Sequence, residues 1–297
     1  MWMITFHGRR LNHKGKVWLS GLIIIICLVI TLIFGIRHLM SSKSQALPDN
    51  PNNPKFSASM DKKIRSLSQK YPALKNENYD MTIYDVSKKK TYHWEQGKTE
   101  QMYTASTIKV PILVEYLHQK PKLSANDKKM VARMIRESNN NDATTLFKKI
   151  GGTDGLNQMF KRFGMKDSQA SSHWWLSTIS SKDYVTLLKN IFIDSKLINQ
   201  TDRNYIISEM VQVNIKQQWG INGFDENANF LANKNGWTLS GTWIMDSIGA
   251  IEVKGRMYLI SIMSNQHPDG QGQTGLSTAK KELTKVAEAS GNYILSN

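Results

Sequence analysis

Tyr103-Thr104-Ala105-Ser106-Thr107-Ile108-Lys109-Val110-Pro111-Ile112 is the stretch on which the reading of this chain turns. On a helix, residues three apart share a face, roughly 5–6 Å apart at Cβ, so an amine at Lys109 reaches back to a hydroxyl at Ser106. That is the spacing of a nucleophile and its base. A lysine amine accepts a proton from serine only when burial or a second cation disfavours its ammonium form. Ile108, Val110, Ile112, Leu113 and Val114 supply the apolar surroundings. Ser-x-x-Lys also occurs at Ser59/Lys62, Ser87/Lys90 and Ser277/Lys280, but those copies lie among polar residues, whereas Ser106 opens an apolar helix.

Outward from this point the periodicity predicts a helix over 62–71, then a hairpin of strands 79–86 and 91–94 around a charged turn at Ser87-Lys88-Lys89-Lys90. A block of helices follows the Ser106 helix. Ser124 caps one over 125–137, another runs over 142–150 and stops at Gly151-Gly152, and further helices cover 153–163, 182–193 and 202–213. The period then changes to strands at 230–238, 247–253 and 257–263, with a turn at Lys254-Gly255-Arg256, before a closing helix over 277–289. Hairpin, helical block, three strands and terminal helix imply an α+β fold, an α/β/α sandwich whose sheet is built from both ends of the sequence.

The N-terminal region is of another kind. Residues 17–36 carry no charge over a length of about 30 Å as a helix, enough for a bilayer core. Arg9, Arg10, Lys14 and Lys16 precede this run, which puts residues 1–16 in the cytoplasm as a basic tail and everything after the span outside. A cleaved signal peptide is the rival reading, but the run exceeds a typical signal core and no small-x-small site closely follows it. Residues 37–57 read as a polar, proline-containing tether, and 58–297 as one domain. Cys27 is the only cysteine, so no disulfide forms within the chain. The net charge is +15; the six basic residues and no acids of 1–43 leave +9 on the remainder. This excess suits anionic cell-wall polymers, and scattered solubilising lysines explain it equally well; nucleic acid is not expected outside the membrane. No metal cluster with ligand spacing stands out, and no cofactor is expected.

Three elements occur in order: Ser106-Thr107-Ile108-Lys109, Ser138-Asn139-Asn140 in a helix-to-helix turn, and Lys234-Asn235-Gly236 on a strand. Together they resemble the Ser-x-x-Lys, Ser-Asp-Asn and Lys-Thr-Gly set of class A β-lactamases and penicillin-binding proteins. The resemblance spans about residues 58–292 and implies a β-lactamase/transpeptidase-like antiparallel sheet of about five strands flanked by helices. It implies Ser106 as acylated nucleophile, Lys109 as base or relay, and Ser138 as proton shuttle to the leaving nitrogen. Asn140 would hold Lys109 and the substrate amide, Lys234 would attract a substrate carboxylate, and Ser106 and Trp237 would give the oxyanion hole through their N–H groups. Asn235 and Gly236 complete the expected substrate wall.

Three departures accompany the match. Asn139 replaces an Asp, and Asn235 replaces a hydroxyl residue, although its amide retains a donor. Only 31 residues separate Ser106 from Ser138. The stretch from Gly164 to Ser181, where class A enzymes carry a deacylating Glu, has no glutamate here; Asp167 and His173 are its weaker candidates, and Trp174 and Trp175 are candidate pocket walls. The expectation is a membrane-anchored extracytoplasmic serine hydrolase acting on a β-lactam or an acyl-D-amino peptide. Three readings stay open: a β-lactamase, a peptidoglycan peptidase or acyltransferase, and a non-catalytic envelope-binding module.

Overall fold

Strand β1 (Asn78–Asp85) turns into β2 (Lys90–Gln96) through a tight loop in which Lys89 takes a left-handed conformation (φ 51°) and Asp85 accepts the Lys88 N–H. The computed structural model describes residues 53–270 and 272–297. Among these no helix is long and apolar enough to cross a membrane, and the expected span at 17–36 lies outside them.

The remaining strands are β3 (Asn229–Ser240), β4 (Thr242–Val253) and β5 (Arg256–His267). All neighbours are antiparallel, in the order β2-β1-β5-β4-β3, so the N-terminal hairpin docks onto the last strand of the chain. The β4–β5 loop is Lys254-Gly255, both at positive φ (49° and 74°), the two-residue turn whose twist matches that of the strands it joins.

Eight α-helices lie among the described residues: α1 (Pro54–Leu67), α2 (Lys109–Gln119), α3 (Ala125–Arg136), α4 (Asn140–Lys149), α5 (Gly152–Phe163), α6 (Ser181–Phe192), α7 (Gln200–Val211) and α8 (Gln273–Ser296). Helices α1 and α8 cover one face of the sheet. Phe56, Met60 and Ile64 of α1 form a buried i, i+4, i+8 stripe packed with Tyr79, Met81, Ile83, Leu283 and Val286, each such side chain contributing about 1.5–3 kcal/mol through burial. On the other face Asp80 and Thr82 bond Ser181 at the start of α6, and α2–α7 build the helical side of the molecule. With both faces covered, the strands are buried on alternate residues of both parities.

Three boundaries differ from the sequence reading by five residues or more. Helix α1 begins at Pro54 rather than 62: Asn53 caps it by accepting the Phe56 N–H, and proline suits the first helical position because its missing N–H has no partner there. Residues 54–57 therefore belong to the helix and not to the tether. Strand β4 starts at Thr242, five residues before 247. Helix α8 continues to Ser296 past Gly291, where a Cβ would stand 1.7 Å from the Phe224 carbonyl oxygen; this glycine permits close packing rather than ending the helix.

Candidate active site

Ser106 sits in a 3-10 turn, Ala105–Ile108, which runs directly into α2 at Lys109. The expected arrangement was the first turn of an α-helix. The tighter turn sets residues i and i+3 above each other, and Lys109 Nζ lies 2.9 Å from Ser106 Oγ. Ala105, just before the serine, is held at φ 41°, a conformation costly for a residue with a Cβ and one that recurs at functional sites. Thr107 locks the turn from behind, donating to Thr104 O while its hydroxyl meets Tyr184 Oη of α6 at 2.8 Å.

Ser138 lies in the α3–α4 connection, also left-handed (φ 57°). Lys109 Nζ reaches its carbonyl at 2.7 Å, its hydroxyl at 3.0 Å, and Asn140 Oδ1 at 2.7 Å. Four oxygens thus surround one amine. The Ser138 carbonyl and Asn140 Oδ1 can only accept, so they take two N–H groups. In a neutral amine the lone pair is then left for a serine O–H; in an ammonium a third N–H points there instead. Lys234 Nζ donates to Ser138 Oγ at 3.0 Å and to Asn235 O at 2.9 Å, so the Ser138 hydroxyl bridges two buried lysines.

This crowding moves the titration of both amines. Burial, with the nearby Lys234 charge, brings Lys109 down from 10.5 to about 6, and burial alone brings Lys234 down to about 7. Near neutral pH the base form of Lys109 is the major one.

The strand carrying Lys234 sorts the remaining predicted residues by alternation. Lys234 and Gly236 address the serine side. At Gly236 a Cβ would stand 2.7 Å from Ser106 N and 2.8 Å from Thr104 O and Thr107 N, so only glycine lets the strand pass there. Asn235 and Trp237 turn to the opposite face. Both N–H groups of the Asn235 amide are engaged, by Gln217 O at 2.8 Å and Trp219 O at 2.9 Å, and its Oδ1 accepts from Ser247 Oγ at 2.7 Å. The expectation that this amide donates to a substrate thus meets an occupied group that fastens the 217–219 segment to the sheet. The Trp237 indole packs at 5.9 Å from that of Trp219, with Lys280 Nζ 5.1 Å from its ring centre, which leaves its backbone as the part available to the cleft.

The Asn139 departure has a local explanation. Its side chain caps α4 by accepting the Asp142 N–H at 3.0 Å, a task that Asn and Asp perform equally well, and Arg133 clamps Asp142 in two bonds of 2.7 Å. Asn139 thereby serves the helix that places Asn140.

Facing the amine from the 165–180 segment is Trp174, its ring centre 5.0 Å from Lys109 Nζ and its indole N–H donating to Thr144 Oγ1 at 3.0 Å. Trp175 and His173 pack edge-on behind it, and His173 is exposed. Asp167 lines a separate cavity of about 330 Å³ with Asp80, Glu95, Glu100 and Lys182. The sequence reading passed over Thr144 and Tyr184, which fix the amine's aromatic cover and the nucleophile's turn; neither sits within a motif. The alternation on β3 was a signal that could have placed Asn235.

A five-stranded antiparallel sheet covered by helices, with a serine between two lysines at its helical face, defines the β-lactamase/transpeptidase-like class. The chain belongs to the beta-lactamase enzyme family, whose sequence pattern matches residues 118–289 and so takes in Ser138, Asn140, Lys234 and Gly236. Among solved structures, PBP-A superposes with a TM-score of 0.65 at 16% identity, over 85% of this chain and 100% of PBP-A. A PBP-A mutant in acyl-enzyme complex with penicillin G gives 0.65 at 17% identity over the same shares. A class A β-lactamase from Bacteroides cellulosilyticus gives 0.62 at 12% identity, over 80% of this chain and 99% of that enzyme. No curated protein matches the sequence significantly.

Proposed function

We propose that this protein is a serine hydrolase that is acylated on Ser106 by β-lactams and by acyl-D-amino peptides of similar shape, and that it releases the acyl group slowly. The observation that carries this reading is the single amine of Lys109, brought to about 6 by burial and Lys234, within 2.9 Å of Ser106 Oγ and 3.0 Å of Ser138 Oγ.

The steps follow from these distances. Lys109 in its neutral form takes the Ser106 proton as Oγ attacks the amide carbon. The charge that develops on the substrate oxygen falls beside the Ser106 and Trp237 backbone, where Gly236 permits close approach. As the C–N bond breaks, the proton passes from Lys109 through the Ser138 hydroxyl to the leaving nitrogen, and an ester to Ser106 remains. Lys234, while charged, attracts the substrate carboxylate. Slow release rests on Trp174: an aromatic face stands over the amine, and Asp167, the one carboxylate of residues 165–180, faces another cavity. The uncharged run at 17–36 and its basic flank support an anchored protein whose domain works outside the cytoplasm, near the cell wall.

The test is intact-mass measurement of the full-length chain incubated with penicillin G, with Ser106→Ala as control. The expected result is an adduct that persists in the wild type and is missing in the variant. Rapid adduct loss with accumulating product would instead establish a β-lactamase, the second reading, which the family membership favours. No adduct on folded protein would leave the binding-module reading.

A further inference from the structure

On the sheet face opposite Ser106, three ionisable side chains meet in the core without forming a closed set of hydrogen bonds. Glu77 precedes β1, His267 ends β5, Glu282 lies on α8, and all three are at most 2% exposed. The bonding of their neighbours fixes the state of the imidazole. Ser264 Oγ donates its hydrogen to Met245 O at 2.6 Å, so toward His267 Nε2, 2.8 Å away, it can only accept; the ring hydrogen is therefore on Nε2. Nδ1 is left facing Glu77 Oε1 at 3.0 Å and Glu282 Oε2 at 3.6 Å. Neither Nδ1 nor Glu77 Oε1, both fully buried, makes a hydrogen bond of acceptable geometry, while Glu77 Oε2 accepts from Tyr79 Oη at 2.6 Å. A ring nitrogen aimed at two carboxylates in a dry core requires a cation between them, a proton on the ring or a metal ion.

We propose that Glu77, His267 and Glu282 bind one divalent transition-metal ion, zinc by the chemistry of the donors. The three ligand atoms lie within 4.8 Å of one another. Donors about 2.0–2.2 Å from a tetrahedral zinc are about 3.3–3.6 Å apart, so the 3.6 Å gap fits and the 3.0 Å gap must open by about 0.3 Å to admit the ion. Two carboxylates balance the double charge, so the occupied site is neutral. The outer contacts are those a ligand set requires: the far ring N–H of His267 held by Ser264, and the second oxygen of Glu77 held by Tyr79. The ligands are 190 and 15 positions apart in sequence, too dispersed to show as a motif. The ion would join the start of β1, the end of β5 and α8, and its role is structural, since the three ligands are sealed in the core.

The test uses full-length protein free of any polyhistidine tag, unfolded with chelator, refolded with or without zinc chloride, and dialysed. Elemental analysis is expected to give close to one zinc per chain, with Tm raised by roughly 5–10 °C at about a hundredfold excess over the dissociation constant. His267→Gln and Glu282→Gln should each lose the metal. Because either variant can fail to fold, X-ray absorption of zinc-loaded wild type provides a second readout: one imidazole nitrogen and carboxylate oxygens about 2.0–2.2 Å from the metal. Wild type that retains no zinc and melts identically in zinc and chelator overturns the proposal and leaves a proton as the bridging cation. Zinc retained equally by both folded variants, or lacking imidazole among its neighbours, overturns it as well.

Discussion

On the helical face of the sheet, Lys109 and Lys234 share the Ser138 hydroxyl; on the other face, Glu77 and Glu282 flank His267. Both clusters bury like charges against the cost of desolvation, yet they differ in outlet. The lysines adjoin Ser106 and Ser138, both partly open to solvent, so an amine that sheds its charge acquires a proton to accept. Every acid and the imidazole of the second cluster are sealed in the core. Displaced titration indicates chemistry where an exposed nucleophile is within reach, and architecture where none is.

The comparison is broken most severely by removing the base. Lys109→Met is expected to slow acylation by penicillin roughly 10²–10⁴-fold, read as adduct formation by mass spectrometry. The same change should raise stability by about 1–4 kcal/mol in urea unfolding near neutral pH, because an apolar residue replaces a buried amine whose four oxygen partners are all uncharged. A stability loss beyond 1 kcal/mol would show that the hydrogen bonds of Lys109 outweigh its burial. Next in size, Gly236→Ala pushes β3 away from Ser106 and should lower the acylation rate about 10²-fold and, because the added Cβ meets backbone atoms, cost about 1–3 kcal/mol of stability.

The pH dependence sharpens the contrast. Acylation should rise about tenfold per unit up to about pH 6, as Lys109 loses its proton, and fall above about 7, as Lys234 loses the charge that holds a carboxylate. The apparent limbs belong to the coupled pair. Stability has the opposite habit on the alkaline side. Both lysines are lowered from 10.5, so between about 6 and 10.5 the unfolded chain binds more protons and these two groups make stability increase with pH. Trp174→Ala, which admits water to the amine, should move the acid limb upward by about half a unit or more through lost desolvation. The smallest effect is expected at Asn139: Ala costs about 1 kcal/mol through the lost α4 cap, Asp restores it, and neither alters the acylation pH profile.

Ser106 and Lys109 were legible because their spacing carries their geometry, Ser138, Asn140 and Lys234 because their order along the chain resembles the motif set of a known family, and the strand and helix order announced an α+β sandwich. Other features depend on partners far along the chain. Asn235 matches the expected motif position, but its bonds to Gln217, Trp219 and Ser247 are visible only once the 217–219 segment lies against β3. Pro54 reads as linker until Asn53 is seen to cap a helix on it, and the closing helix, expected over 277–289, runs on through Gly291 because only a glycine fits against Phe224. Proline and glycine punctuate a sequence, and tertiary packing decides what the punctuation means.

The strand order has a temporal consequence. Residues 78–85 pair directly with 258–265, so the sheet is incomplete until β5 has emerged from the ribosome. Ser106 and Lys109 are synthesised early, whereas β3, which presses against them, waits for β4 as its sheet neighbour and for β5 to join β4 to the hairpin. Such distant pairings slow folding. A nascent chain that stops before β5 would carry Ser106 without the wall beside it, so reactivity toward an acyl donor reports that β3, β4 and β5 have been made and docked.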